Sequence, residues 1–140
     1  MSYLLDTCTI SDFGKKERNT LKRLKSTLPN EVFVSSLSVV ELKYGLAINP
    51  GRAVKVRPII EGLLESANIL PFGVEEAVRA AAIRSILKAA GTPIGAYDVL
   101  IAATALEHQL VAVTSNTREF QRVPGLQIEN WRLDVASQSE

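Results

Sequence analysis

The sequence predicts an α/β protein with a central, mostly parallel sheet flanked by helices, all in one domain. Three observations point there. Five short apolar runs are too brief for helices, and the segments between them are longer and carry helical spacing. The length of 140 residues suits a single core. No internal repeat, low-complexity stretch or long linker divides the chain, so the predicted domain runs over 1–133, followed by a polar tail at 134–140.

The strands come in order as SYLLD (2–6), EVFVSS (31–36), ANILPF (67–72), LVAVTS (110–115) and LQIENW (126–131), each rich in leucine or β-branched residues. Helices are predicted over 17–28, 38–48, 52–67, 74–91 and 96–109. Pro58 kinks or restarts the third, because proline removes a helical hydrogen bond. Gly91, followed by Thr92 and Pro93, stops the fourth.

Composition excludes several classes. With 46% hydrophobic and 22% charged residues the chain is neither disordered nor fibrous. A net charge of +1 exerts no strong overall field, so any basic site is a local patch. A single cysteine forms no internal disulfide, and nothing requires an oxidising compartment. No basic-then-apolar leader and no run of roughly 18 apolar residues is present, which predicts a cytoplasmic protein without a membrane segment.

The acids carry the functional signal. Asp6 ends a buried strand, where an unpaired carboxylate is costly. Parallel sheets bind ligands beyond the carboxyl ends of their strands. On a helix over 38–48, Glu41 shares a face with Leu37, Tyr44, Gly45 and Ile48, which predicts that it points toward the apolar side. Ser38 to Glu41 also matches a capping box, a purely structural reading. Gly45 weakens that helix, which predicts a close approach there. Asp98 lies on the stripe of Ile101, Ala102 and Ala105, so helix-dipole compensation alone does not account for it. Converging carboxylates repel by a few kcal/mol per pair at an effective dielectric near 20. A hard cation, Mg²⁺ with Mn²⁺ able to substitute, resolves that conflict through oxygen ligands and activates water against a phosphate ester.

LLDTC, SVVELKYG, GTPIGAYDVLIAATAL and VTSNTREFQRVPGLQIENW together resemble the PIN-domain ribonucleases of the VapC toxin type, over residues 3–131. The resemblance implies a small α/β/α fold and a Mg²⁺-dependent endoribonuclease, the toxin of a toxin–antitoxin system, hydrolysing RNA with a metal-activated water. Structured RNAs such as tRNA are implied substrates. It further implies a homodimer silenced by a VapB-type antitoxin. Asp6 and Asp98 would bind the metal, Glu41 would complete the triad directly or through a water, and Thr7 would orient a water or an acid. Thr114 belongs to the same cluster of supporting residues. Asn116 stands where many relatives carry an acid, and Glu119 is the alternative fourth group; the amide makes a tightly held second metal doubtful. For Glu41 the resemblance favours catalysis over capping.

The cationic run holding Lys15, Lys16, Arg18 and Lys22 is a candidate RNA rim beside the ordinary reading as a solvated helix face. His108 reads as a surface residue near a helix end, Trp131 as a closing core residue, and Cys8 as a small packed side chain. Rival readings are a haloacid-dehalogenase-like phosphatase, which lacks its second aspartate because Cys8 stands there, a thiol hydrolase using Cys8 and His108, and a catalytically silent PIN-fold module that binds RNA or protein.

Overall fold

The computed structural model describes residues 1–133; the tail expected at 134–140 lies outside the described residues. Five strands form one sheet: β1 (Tyr3–Leu5), β2 (Val32–Ser35), β3 (Asn68–Leu70), β4 (Val111–Val113) and β5 (Ile128–Glu129). Their order is β3-β2-β1-β4-β5, and every pairing is parallel. The central strand β1 sets Tyr3 opposite both Val32 and Val111.

Alternation along β1 sends neighbouring side chains to opposite faces. Leu4 enters a core with Ile83, Leu87, Ile101, Ala102 and Phe120, whereas Leu5 enters a second core with Ile10, Val34, Leu42, Ile60 and Trp131. Helices α6 (Val74–Ala89) and α7 (Ala96–Glu107) cover the first face. On the second lie α1 (Thr7–Gly14), α2 (Arg18–Lys25), α3 (Ser36–Ile48) and α5 (Arg57–Ser66). The sheet is thus sandwiched between helical layers, as the run of strands and helices predicts. Trp131 is buried, packs edge-on to Tyr3 at 5.4 Å and donates its indole N–H to Glu129.

Some elements differ from expectation. The segment 52–67 is two helices, α4 (Pro50–Ala53) and α5, with Pro58 in the first turn of α5, where its missing N–H costs nothing. Gly91 ends α6 in a left-handed conformation, φ +72°. Two helices were not expected: α1, directly after the first strand, and the four-residue α8 (Thr117–Phe120). Gly45 has nothing within 4 Å of a notional Cβ, so no close approach explains it. The buried face of α3 is Ser38, Leu42 and Leu46; Tyr44 and Ile48 are exposed, and Glu41 borders the crevice rather than the core.

Candidate active site

Strand order reverses between β1 and β4, because the chain lays β2 and β3 on one side of β1 and returns to β4 and β5 on the other. Ligands of open parallel sheets bind at such a reversal. Asp6 follows β1 there, and Thr114 follows β4. Asp6 is also the N-cap of α1: its carboxylate accepts from the Thr9 N–H at 2.8 Å, while its own N–H donates to the Val113 carbonyl at 3.0 Å. Only 3% of Asp6 is exposed. Burial pushes its carboxyl above the ordinary range, hydrogen bonds from Thr114 and Thr9 oppose this, and the charge of Asp12 adds to the rise.

The first turn of α7 carries Asp98 to the same crevice. Its carboxyl is pushed up to about 6, by burial first, then by the carboxylates of Glu119 and Asp6, against a hydrogen bond from Asn116. Asn116 donates through Nδ2 to Asp98 Oδ2 at 3.1 Å and also to Glu119 Oε2. Glu119 is held below its ordinary range, chiefly by that amide, with help from the Gly95 backbone. The Asn116 amide thus ties the two acids together. Thr114 is fully buried, accepts from the Asn116 N–H at 2.9 Å and so links Asp6 to this loop. Gly95 makes room, since a Cβ there would stand 3.3 Å from Asp98 Oδ2.

Glu41 enters from α3. Thr7 donates its hydroxyl to Glu41 Oε1 at 2.6 Å, and Thr7 Oγ1 also lies 3.2 Å from Ser38 Oγ. The capping box is not formed: Ser35 is the N-cap of α3, accepting from the Leu37 N–H at 3.1 Å, and Ser38 is buried inside the helix. Glu41 is fastened to α1, not to the start of its own helix. Among the described residues no three His, Cys, Asp or Glu side chains are gathered closely enough to hold a metal ion together. Asp6 and Asp98 feel each other's charge, and Glu41 is joined to them through Thr7, so the triad is not one preformed cluster.

Residues outside this group take structural places. Cys8 is exposed in the first turn of α1, contrary to the packed position expected. Its helix turns it outward beside the crevice. Its thiol is pushed up to about 11 by desolvation and by the charges of Asp6, Asp98 and Asp12, so little thiolate is present at neutral pH. His108 caps α7 and sits 2.8 Å from Glu76 of α6, which removes the partner a thiol hydrolase needs. Lys15, Lys16, Arg18 and Lys22 are exposed. Lys15 and Lys16 lie past the end of α1 away from Asp6, roughly 12 Å along at 1.5 Å per residue. Among the buried polar groups not singled out from sequence is Asp12, which accepts from Arg132 Nε at 2.6 Å and Nη2 at 2.8 Å. Ser38, read from sequence as a helix cap, instead lies beside the Thr7 hydroxyl.

Comparison with known proteins agrees with this geometry. The PIN domain family matches residues 3–126. A tRNA(fMet)-specific endonuclease VapC of Salmonella typhimurium is 33% identical over 133 residues, covering 94% of this chain and 98% of that protein. The crystal structure of DNA-bound VapBC from Salmonella typhimurium superposes with a TM-score of 0.82 at 33% identity, over 94% of this chain and 98% of the other. VapBC2 from Rickettsia felis, bound to a DNA fragment from its promoter, gives 0.83 at 28% identity over 94% and 99%. Strand order, the acids at its reversal and these similarities converge: the chain belongs to the PIN-domain family, among its VapC ribonucleases.

Proposed function

We propose that this VapC ribonuclease is a Mg²⁺-dependent endoribonuclease acting on structured RNA, with tRNA the favoured substrate class. One observation carries the metal dependence: Asp6, buried, and Asp98, pushed up to about 6 by burial and by the charges of Glu119 and Asp6, both lie at the strand reversal. None of the ion pairs among the described residues involves Asp6, Glu41, Asp98 or Glu119. An oxygen-only donor set of this kind fits a hard divalent cation, with Asp6 and Asp98 as its ligands and Mn²⁺ able to substitute for Mg²⁺. When bound, the ion activates water and offsets charge on a phosphoryl oxygen.

The chain's own residues do the rest. Thr7 holds Glu41 Oε1, which leaves Oε2 of Glu41 to accept a proton from the attacking water. Asn116 fixes Asp98 and Glu119 with one amide and adds no charge of its own. Thr114 holds Asp6 against β4. Lys15, Lys16, Arg18 and Lys22 form a distant rim for flanking phosphates.

The solved relatives named VapBC support a VapB-type antitoxin as partner. A homodimer is supported by exposed apolar side chains on α3, Val40, Tyr44 and Ile48. No helix among the described residues is long and apolar enough to cross a membrane, and the proposed RNA substrate supports a cytoplasmic location. The test is incubation of the purified protein with cellular RNA in Mg²⁺ and in EDTA, beside Asp6→Asn and Asp98→Asn. Discrete cleavage that needs the metal and is lost in both variants supports the reading. Equal cleavage by the variants overturns it, and RNA binding without cleavage by the wild-type chain assigns the silent module instead.

A further inference from the structure

We propose that the groove between α6 and the start of α7 seats an unstacked base of the RNA strand, with Arg84 and Lys88 on the flanking phosphates. The proposal rests on the endoribonuclease reading and names a binding site beyond the acids. The groove has a volume of about 910 Å³, within the roughly 300–1,000 Å³ range of small-ligand sites. Its walls are apolar, with Phe72 on one side, Ala81 on the helix and Pro93 and Ile94 on the loop before α7. Alanines at 77 and 81, one turn apart, keep the α6 surface low enough for a flat ring to lie on it. Phe72 supplies an aromatic ring of the kind on which bases stack.

Charge distinguishes this groove from a plain apolar cleft. Arg84 and Lys88, one turn apart, stand exposed along it. Among the described residues neither forms an ion pair, although Arg79 on the same helix pairs with Glu107 at 2.7 Å. A second copy docked about a two-fold axis would carry the same two cations into the same interface, which disfavours that occupant. Phosphates flanking a seated base complement them. The loop wall of the groove also leads along the chain into the acids. Pro93 and Ile94 line it, the next residue, Gly95, contacts Glu119 through its backbone, and Asp98 follows three residues later. Arg122 donates to the Pro93 carbonyl at 3.0 Å, tying this shared wall to the segment after α8. A strand with its scissile phosphate at the acids thus has an adjacent nucleotide at the groove, and recognition of RNA loops depends on bases splayed out of the stack.

The test uses a short fluorescent single-stranded RNA titrated in EDTA, so binding is read without cleavage, with hydrolysis of bis(p-nitrophenyl) phosphate in Mg²⁺ as a base-free measure of the acids. Ala81→Phe, which fills the groove, weakens RNA binding at least about fivefold, as loss of one stacked base does, and leaves diester hydrolysis and the salt dependence unchanged. Arg84→Ala with Lys88→Ala weakens binding and lowers the salt slope by about one to two. An abasic nucleotide scanned along the strand weakens binding to the wild-type chain at one position and not to Ala81→Phe. RNA affinity unchanged in Ala81→Phe overturns the proposal, as does an abasic series that binds uniformly. A changed oligomeric state of Ala81→Phe with RNA affinity intact gives the groove to a second copy and overturns it too. If no diester or RNA is hydrolysed at all, the nuclease reading fails while the binding arms still decide the groove.

Discussion

Thr7 has one hydroxyl proton, and the 2.6 Å bond to Glu41 takes it. Thr7→Val keeps the shape and removes the bond, so Glu41 loses its fixed position. RNA cleavage is expected to fall about ten- to a hundredfold, the usual effect of removing a residue that orients a site group, while the melting temperature moves little; initial rates beside a thermal scan check both. Gly95→Ala acts on the neighbouring acid, because the added Cβ presses on Asp98 Oδ2 at 3.3 Å. A several-fold loss of cleavage with RNA affinity in EDTA intact is the expected result, and unchanged rates would remove Gly95 from the account. Asp6 and Asp98 were legible as candidate site residues because a carboxylate at a strand end, or on a buried stripe, conflicts with burial unless something uses it, whereas Thr7 was indicated only by the family resemblance. The Asn116 bridge was not legible, because an amide's two donors acquire direction only once Asp98 and Glu119 are placed in space.

At the scale of elements, α1 is fixed at both ends: Asp6 caps its start, and Asp12 near its end accepts both Arg132 bonds. Asp12 is buried and Arg132 is half exposed. Removing the exposed partner leaves a buried charge unpaired, whereas removing the buried one frees a cation that water can solvate. Arg132→Ala is therefore expected to cost about 2 kcal/mol, more than Asp12→Ala, and chemical denaturation of the two variants gives the order; a reversed order would sink the argument. The strands and long helices were readable from periodicity. Helix α1 was not, since TCTISDFG places β-branched and polar residues where a helical stripe is sought, and its main start signal, Asp6, was already explained as a ligand. Four-residue α8 is too short to show a period. Cys8 was misplaced for the same reason as α1: without the helix, nothing turned it outward.

For the molecule as a whole, the acids at the strand reversal make the folded state sensitive to pH. A carboxyl raised to about 6 binds its proton more tightly in the folded than in the unfolded chain, so Asp98 favours folding at low pH and loses that contribution as pH rises through about 6. Above that value the acids repel one another, and the proposed cation would offset the repulsion. Mg²⁺ is expected to raise the melting temperature more at neutral pH than in the acid range below about 5, where it must displace a proton; melting scans with and without Mg²⁺ measure this, and an equal shift at both would refute it. The site is also assembled from remote parts of the chain. Thr9 donates its hydroxyl to the Val113 carbonyl across 104 residues of sequence, and Asp6 leans on the same strand. While a ribosome is still making the protein, its first acid has emerged long before β4 exists to receive it. The candidate site is therefore incomplete until β4 has been made and pairs with β1, late in synthesis.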